Sequence, residues 1–437
     1  MNKVIKIIDY PCGSGKTTRM IEGFKPENKY LVVVPYLTEV TRVIKGSTEV
    51  TFVEPSDNDN EEGNKTASLK AQLINGQNIA TTHSLFDRLV PMAKAGLLDD
   101  YDIIIDEVLD VIETKGKKSK KSIDQFYLKT GYMELDAKTG LVIPTNKWWE
   151  DKDEVSDTLS PELQRHAESG RLYLQGGSVF IRAMPEVLFS SGKSLTIMTY
   201  KAEGSELLLY LRKLGLLFEI ANDNNQDEAF RLRAAELITI RDIPGVPNSE
   251  LSCSGQMKGM KNREYCNKVS GALKRLRERQ LQDIPIENIL ITCLKAAWNA
   301  SSKKGDFKPG VFAKGSRLQG AKWTANTTRG TNEFINCSHL IYLYDQYPNP
   351  VKARWLGDSS RAFNDAYALT ELIQWVWRSR VRKGEAITLY LPSPRMRRLF
   401  EEWLYGGGVI GHSSNHCFER SEVYVNRTTQ RLLFTSV

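Results

Sequence analysis

The chain has 437 residues, 41% of them hydrophobic, and a net charge of +7, which fits a two-domain globular protein with room for a polyanionic partner. No apolar run approaches the roughly 18 residues of a membrane-crossing helix, and VIKII near the N-terminus is too short for a secretion signal. Six scattered cysteines without a CxxC pair read as reduced thiols, so the expected compartment is the cytoplasm.

The first predicted strand, Val4–Ile8, runs into DYPCGSGKTT (9–18), and a helix is predicted from Lys16 to about Gly23. Strand, glycine-rich turn and helix form the setting of a phosphate-binding loop. Gly13 and Gly15 let backbone N–H groups converge on phosphate oxygens, and Ser14, Thr17 and Thr18 stand beside them. Lys16 is expected to reach the β and γ phosphates of ATP, and the Thr17 hydroxyl to ligate Mg²⁺. Tyr10 departs from the small residue usual at the head of this pattern; GSGKT itself is intact.

Next come a buried strand ending at Pro35, a polar loop at 56–66, and a short strand leading to Thr81, Thr82 and His83. DIIIDE (102–107) is an apolar strand that ends in two carboxylates. Behind a phosphate loop, Asp106 is expected to hold Mg²⁺ through water and Glu107 to polarise an attacking water.

Residues 112–190 break the alternation of strands and helices. They open with KGKKSKKS (115–122) and continue with glycine-punctuated alternating segments, which suggest a β-rich insertion. The lysine run reads as a solvated loop or as an element that grips a duplex. SLTIMTYKAEGSE (194–206) resumes the first unit with a strand ending in Thr199 and Tyr200.

A second α/β set follows, with strands in 287–295, 335–345 and 386–392. A helix is predicted from about Asn364 to Arg382. On it Gln374, Arg378 and Arg382 would share one face, suited either to polyphosphate or to solvent. The basic excess is concentrated here, with ten Lys/Arg against four Asp/Glu from Val351 to Arg398.

Taken in order, GSGKT, the strand to Pro35, TTHSL, DEVL, TIMTY, ITCLK, NTTRGTNE and QWVWRSRVR follow the motif order of superfamily 2 helicases. The sequence resembles a DEAD/DEAH-type helicase, and more narrowly the helicases encoded by tailed bacteriophages. The narrower likeness rests on NTTRGTNEF, LYDQYPNP and LTELIQWVWRSRVRKGEAITLYLPSPRMR. It implies an α/β fold of two RecA-like lobes with parallel sheets, the β-rich insertion lying in the first lobe. It also implies an ATP- and Mg²⁺-dependent enzyme that unwinds or tracks nucleic acid, DNA before RNA with the choice left open, in phage replication or recombination. One chain would carry both lobes, so a monomer suffices, and no membrane is involved. The expected units are lobe one at 1–205, lobe two at 206–404 and a tail at 405–437.

The resemblance carries Lys16 and Thr17 onto the first motif, and Asp106 and Glu107 onto the second. Thr199 falls where a residue couples the site to nucleic acid. Arg329 falls in a nucleotide-contacting motif, and Gln374 and Arg378 in the last. The second arginine of that last motif would fall on Val381, with Arg382 one place on, which leaves the arginine finger open between Arg378 and Arg382. No segment before Val4 matches the family's adenine-reading motif, so adenine selectivity is expected elsewhere or loose.

Nucleic-acid contacts are expected from Thr81, Thr82, Thr199, Lys295, Arg317 and Lys322. Trp323 either stacks on a base or packs in the core. His412, His416 and Cys417 with Cys253 and Cys266 match no standard zinc spacing, and read as tail residues before a metal site. Two competing readings are a packaging-type ATPase and a nucleic-acid-binding protein with a vestigial ATPase. The first would need a C-terminal carboxylate cluster, and none is seen after residue 290. Intact Lys16, Asp106 and Glu107 oppose the second.

Overall fold

The computed structural model describes residues 3–57, 64–150, 161–247, 250–303, 305–328 and 331–406. Its first sheet takes β1 (Ile5–Asp9), β2 (Lys29–Val34), β3 (Phe52–Val53), β4 (Asn78–Thr82) and β5 (Tyr101–Asp106) from the first hundred or so residues. The insertion contributes β6 (Ile112–Lys117), β7 (Met133–Leu135), β8 (Val142–Pro144), β9 (Leu172–Gln175) and β10 (Val179–Ala183). Then β11 (Ser194–Thr199) and β12 (Phe218–Asn222) rejoin the first sheet, whose order is β12-β1-β11-β5-β2-β4-β3. Every pairing in it is parallel. Leu31, Val32, Val33 and Val34 are all fully buried, as a strand covered on both faces requires. Parallel strands need crossovers, which is why helices separate these runs.

β13 (Ile238–Arg241), β14 (Ile289–Thr292), β15 (Lys322–Trp323), β16 (His339–Tyr342) and β17 (Ile387–Tyr390) form a second parallel sheet, ordered β13-β17-β16-β14-β15. The protein is therefore a two-lobed α/β molecule. The expected boundary after residue 205 falls inside the first lobe. Helix Glu206–Leu214 sinks Leu207 to Leu211 into the first core, and β12 pairs with β1 along its whole length.

One later element also belongs to the first core. Helix Pro350–Leu356 lies beyond β16 in sequence, yet buries Ala353, Trp355 and Leu356 with the first lobe's residues. The Trp355 ring meets Tyr173 of the insertion at 5.0 Å and Tyr210 of the first lobe at 5.9 Å. Lys352 donates to Glu206 at 2.9 Å beside it.

The insertion is β-rich, as expected. β6, β10 and β9 form an antiparallel sheet and β7 pairs with β8, over a separate core that includes Tyr127, Trp148 and Phe180. The lysine run is not a loop. It finishes β6 and, after the Ser119 cap, begins helix Lys120–Ile123. Lys115 pairs with Glu113 and Glu162, and Lys118 covers the Tyr127 ring at 5.5 Å.

The helix expected from Asn364 to Arg382 is shorter. It spans Arg361–Val376, and Arg380–Lys383 forms a separate 3-10 turn. Ser379 breaks it: its hydroxyl donates to the Val376 carbonyl at 2.7 Å while its backbone is extended. Gln374, Arg378 and Arg382 therefore do not form one row.

Candidate nucleotide site between the lobes

Three neighbouring strands bring the first-lobe residues together. β1, β11 and β5 lie side by side, with Asp9 in register with Thr199 and Met198 with Asp106. Their carboxyl ends are where ligands gather in parallel α/β sheets. From that edge rise the 10–15 loop, Asp106 with Glu107, and the 200–205 turn.

Gly13 and Gly15 take φ of 77° and 81°, a left-handed conformation that glycine adopts without strain. A β-carbon placed on either would meet nothing within 4 Å, so the loop's concave side is open. Lys16 closes the loop on itself, its Nζ donating to the Tyr10 carbonyl at 2.6 Å and the Pro11 carbonyl at 3.1 Å. Thr17 Oγ1 donates to Asp106 Oδ2 at 2.8 Å. Burial and the neighbouring Glu107 push the Asp106 carboxyl up to about 6, against the Thr17 hydrogen bond and Lys16. His83 Nε2 donates to the Asp106 carbonyl at 2.9 Å, which fixes the strand end. Glu107 follows with a φ of 66°, rare for a residue with a side chain and found where a site demands it. Thr18 is exposed and instead accepts from Arg42 at 3.0 Å.

The second lobe supplies the other wall. Arg378 is buried, and its Nη2 stands 3.8 Å from Glu107 Oε1. Gln374 is buried, with Nε2 directed at the Tyr200 carbonyl at 3.5 Å. Arg382 is exposed and donates to Asn332 at 2.8 Å. Arg329 lies outside the described residues. Cys12 sits among these charges. Burial raises its thiol; Lys16, Arg378 and Arg382 pull the other way, and Glu107 adds to the rise.

The residues fit a magnesium nucleotide. Ser14 Oγ, Thr199 Oγ1, Gln374 Oε1 and Arg378 Nε are buried polar atoms with no hydrogen-bond partner among the described residues. The hydroxyl of Thr17 and the carboxylate of Asp106 are hard oxygen donors of the kind Mg²⁺ takes. No cluster of three His, Cys, Asp or Glu side chains among the described residues could hold a metal unaided.

The turn after β11 couples the site to the second lobe. Asp9 accepts from the backbone N–H groups of Lys201 at 2.6 Å and Ala202 at 3.0 Å. Thr370 Oγ1 donates to the Lys201 carbonyl at 3.2 Å. Gly204 packs so closely that a β-carbon would lie 2.3 Å from Thr370 Oγ1 and 2.5 Å from the Ala366 carbonyl. Tyr200 is buried in the second lobe's core, its hydroxyl donating to Asp227 at 2.6 Å. Sequence reasoning missed Asp9, Cys12, His83 and Asp227. The first three lie within or beside quoted motifs; nothing local marks Asp227.

The expected nucleic-acid contacts divide. Thr81 and Thr82 are buried, Thr82 sharing a hydrogen bond with Ser84 at 2.9 Å, so neither offers a surface. Thr199 is also buried. Lys295 is exposed at the end of β14, Arg317 pairs with Glu278 at 2.8 Å, and Lys322 donates to the Glu333 carbonyl at 3.3 Å. Trp323 packs against the second lobe's core and donates to the Cys293 carbonyl at 3.1 Å, which favours packing over stacking. Several of the basic residues between Val351 and Arg398 are spent internally. Arg395 pairs with Asp345 and Asp365, Arg397 with Asp242, and Arg398 with Glu402. Of the zinc candidates, Cys253 is exposed and Cys266 is buried against the Gly259 and Met260 carbonyls. His412, His416 and Cys417 lie outside the described residues. Among the described residues no helix is long and apolar enough to cross a membrane.

The chain is similar to several known proteins. The solved structure titled XPD_APO is 12% identical with a TM-score of 0.49, over 92% of this chain and 95% of that one. That of S. tokodaii Xpd4 is 14% identical with a TM-score of 0.46, over 91% and 94%. The SPbeta prophage-derived protein YonV of Bacillus subtilis (strain 168) is 28% identical over 424 residues, 92% of this chain and 98% of that protein. Residues 233–404, most of the second lobe, match the family described as the YonV C-terminal Rossmann-like domain.

Proposed function

We propose that this chain is an ATP-hydrolysing motor of the superfamily 2 helicase type that moves along or separates nucleic-acid strands, DNA before RNA. The observation that carries the reading is the meeting of Lys16, Thr17, Asp106 and Glu107 of one lobe with Arg378 of the other, around a loop open to a phosphate chain.

ATP binds to the 10–15 loop, its phosphates held by backbone N–H groups, the Ser14 hydroxyl and Lys16. Lys16 then exchanges two loop carbonyls for phosphate oxygens. Thr17 and Asp106 would hold Mg²⁺, which when bound would neutralise charge on the phosphate oxygens. Glu107 orients the attacking water and accepts its proton. Arg378 reaches over from the second lobe and stabilises the charge that develops on the transferred phosphoryl group.

Hydrolysis is transmitted through the 200–205 turn. Asp9 ties that turn to the phosphate loop, and Thr370 and Gln374 tie it to the second lobe. A change at the phosphate loop therefore shifts one lobe against the other, a hinge transition that can ratchet a strand. A prophage-derived relative supports a phage-encoded origin, and the role we assign to such a motor is phage replication or recombination in the host cytoplasm.

The test is ATP hydrolysis measured without polymer, then with single-stranded DNA, duplex DNA and RNA, with Lys16→Ala as control. Stimulation by one polymer, lost in the control, is expected and names the track. Hydrolysis indifferent to every polymer overturns the motor reading.

A further inference from the structure

We infer that the second lobe grips the sugar–phosphate backbone of a nucleic-acid strand with Arg263 and Arg275, in a surface concavity between helix Arg263–Arg279 and the loop after β13. This deepens the motor reading and rests on it. Neither arginine belongs to a motif considered above.

The charge here exceeds what folding uses. Residues 258–279 carry eight Lys/Arg against two Asp/Glu. The apolar residues Tyr265, Cys266, Val269, Ala272, Leu273 and Leu276 take the core-facing stripe, so the cations crowd the opposite face. Like charges one turn apart destabilise a helix. Some are compensated: Lys268 pairs with Glu264 at 2.7 Å, and Glu278 takes Arg317 at 2.8 Å and Lys274 at 4.0 Å. Arg277 satisfies the Leu281 and Ile284 carbonyls. Arg263 and Arg275 are exposed, and neither has a carboxylate partner among the described residues.

These two line a concavity of about 580 Å³ together with Gly245, Glu264, Asn267 and Lys268. Glycines shape it. A β-carbon on Gly245 would lie 2.7 Å from Arg275 Nη2, and one on Gly271 would lie 3.5 Å from Nη1. The guanidinium thus lies against a loop glycine whose place a β-carbon could not take without moving it, and in ordinary contact range of a helix glycine. Gly245 follows the carboxyl end of β13, the end of the sheet at which ligands collect. Two planar guanidiniums, lining the concavity with Asn267 and with Glu264 already paired to Lys268, match the bidentate geometry of phosphodiesters. Spread along a helix, they suit a chain of phosphates rather than a single anion.

The test is binding of fluorescein-labelled oligothymidylate and oligouridylate to the full chain across a range of salt. Arg263→Ala/Arg275→Ala is compared with Lys45→Ala/Lys70→Ala, which removes two exposed first-lobe charges. The arginine variant should bind at least about tenfold more weakly, with a log–log salt slope shallower by between about one and two. Its hydrolysis without polymer and its melting temperature should match wild type, and the lysine variant should bind as wild type does. An unchanged slope in the arginine variant, or an equal loss in the lysine variant, overturns the inference. If hydrolysis proves indifferent to polymers yet binding still depends on the two arginines, the motor reading falls and this site stands. Failure of the wild-type chain to bind either oligonucleotide removes both.

Discussion

Arg378 of the second lobe holds its Nη2 3.8 Å from Oε1 of Glu107 in the first, while Arg382, four residues on, is hydrogen-bonded to Asn332. The contact joins the two lobes at the edge where the 10–15 loop lies. It also separates two arginines between which the motif order cannot choose. Arg378→Ala should lower kcat by roughly a hundredfold or more with little change in nucleotide affinity. Arg382→Ala should stay within a fewfold of wild type. Single-turnover hydrolysis of both variants checks this, and the reverse ranking would make Arg382 the acting residue.

Asp106→Asn should abolish hydrolysis and at the same time raise the melting temperature at neutral pH. In the folded protein the carboxyl titrates near 6, above its ordinary 3.8, because burial and Glu107 disfavour the charge. A raised carboxyl pKa means that the folded state holds its proton longer than the unfolded chain. Wild type therefore loses stability relative to the variant as pH rises from about 4 to about 6, and the gap is full above that. Its size should be about 3 kcal/mol. Melting curves of both proteins without nucleotide, from pH 4 to 8, measure it directly.

Gly204→Ala should disturb the lobe contact without touching the phosphate loop. The added methyl group would press on Thr370 Oγ1 and the backbone at Ala366. Backbone cannot yield as a side-chain end can, so a cost of about 1–3 kcal/mol is expected. Nucleotide binding should persist while hydrolysis falls, because Arg378 is carried by the displaced lobe. Small-angle scattering should give a larger radius than wild type; an unchanged radius with normal turnover would rule out this contact as the coupling.

Tyr200→Phe removes a buried hydroxyl that donates to Asp227 at 2.6 Å. Asp227 keeps its second partner, Lys201 Nζ at 3.3 Å, so the carboxylate is not stranded. The expected loss is about 1–2 kcal/mol of stability. Denaturant unfolding should show a lower midpoint with an unchanged slope.

Much of the fold is legible from sequence because parallel strands covered on both faces are continuous apolar runs. YLVVV and DIIID can be little else, and the glycines of 13 and 15 announce the phosphate loop. The elements that escape such reading depend on distant partners. Trp377, Arg378 and Ser379 carry no strong stop signal, and the helix ends there because Ser379 turns its hydroxyl back to Val376. Thr81 and Thr82 look like surface residues, but β4 lies between β2 and β3 in the sheet and both are buried. The cations of Arg263–Arg279 pass as a solvated face until partners are counted one by one.

Helix Pro350–Leu356 has a consequence for how the molecule comes apart. It is threaded late in the chain but lodged in the first core, with Trp355 between Tyr173 and Tyr210. A cut between the lobes would leave that slot empty on one fragment and a bare tryptophan on the other. The first lobe cannot finish folding until more than three hundred residues have been made. The two lobes are therefore expected to melt together in a single transition, with any movement between them pivoting at this helix.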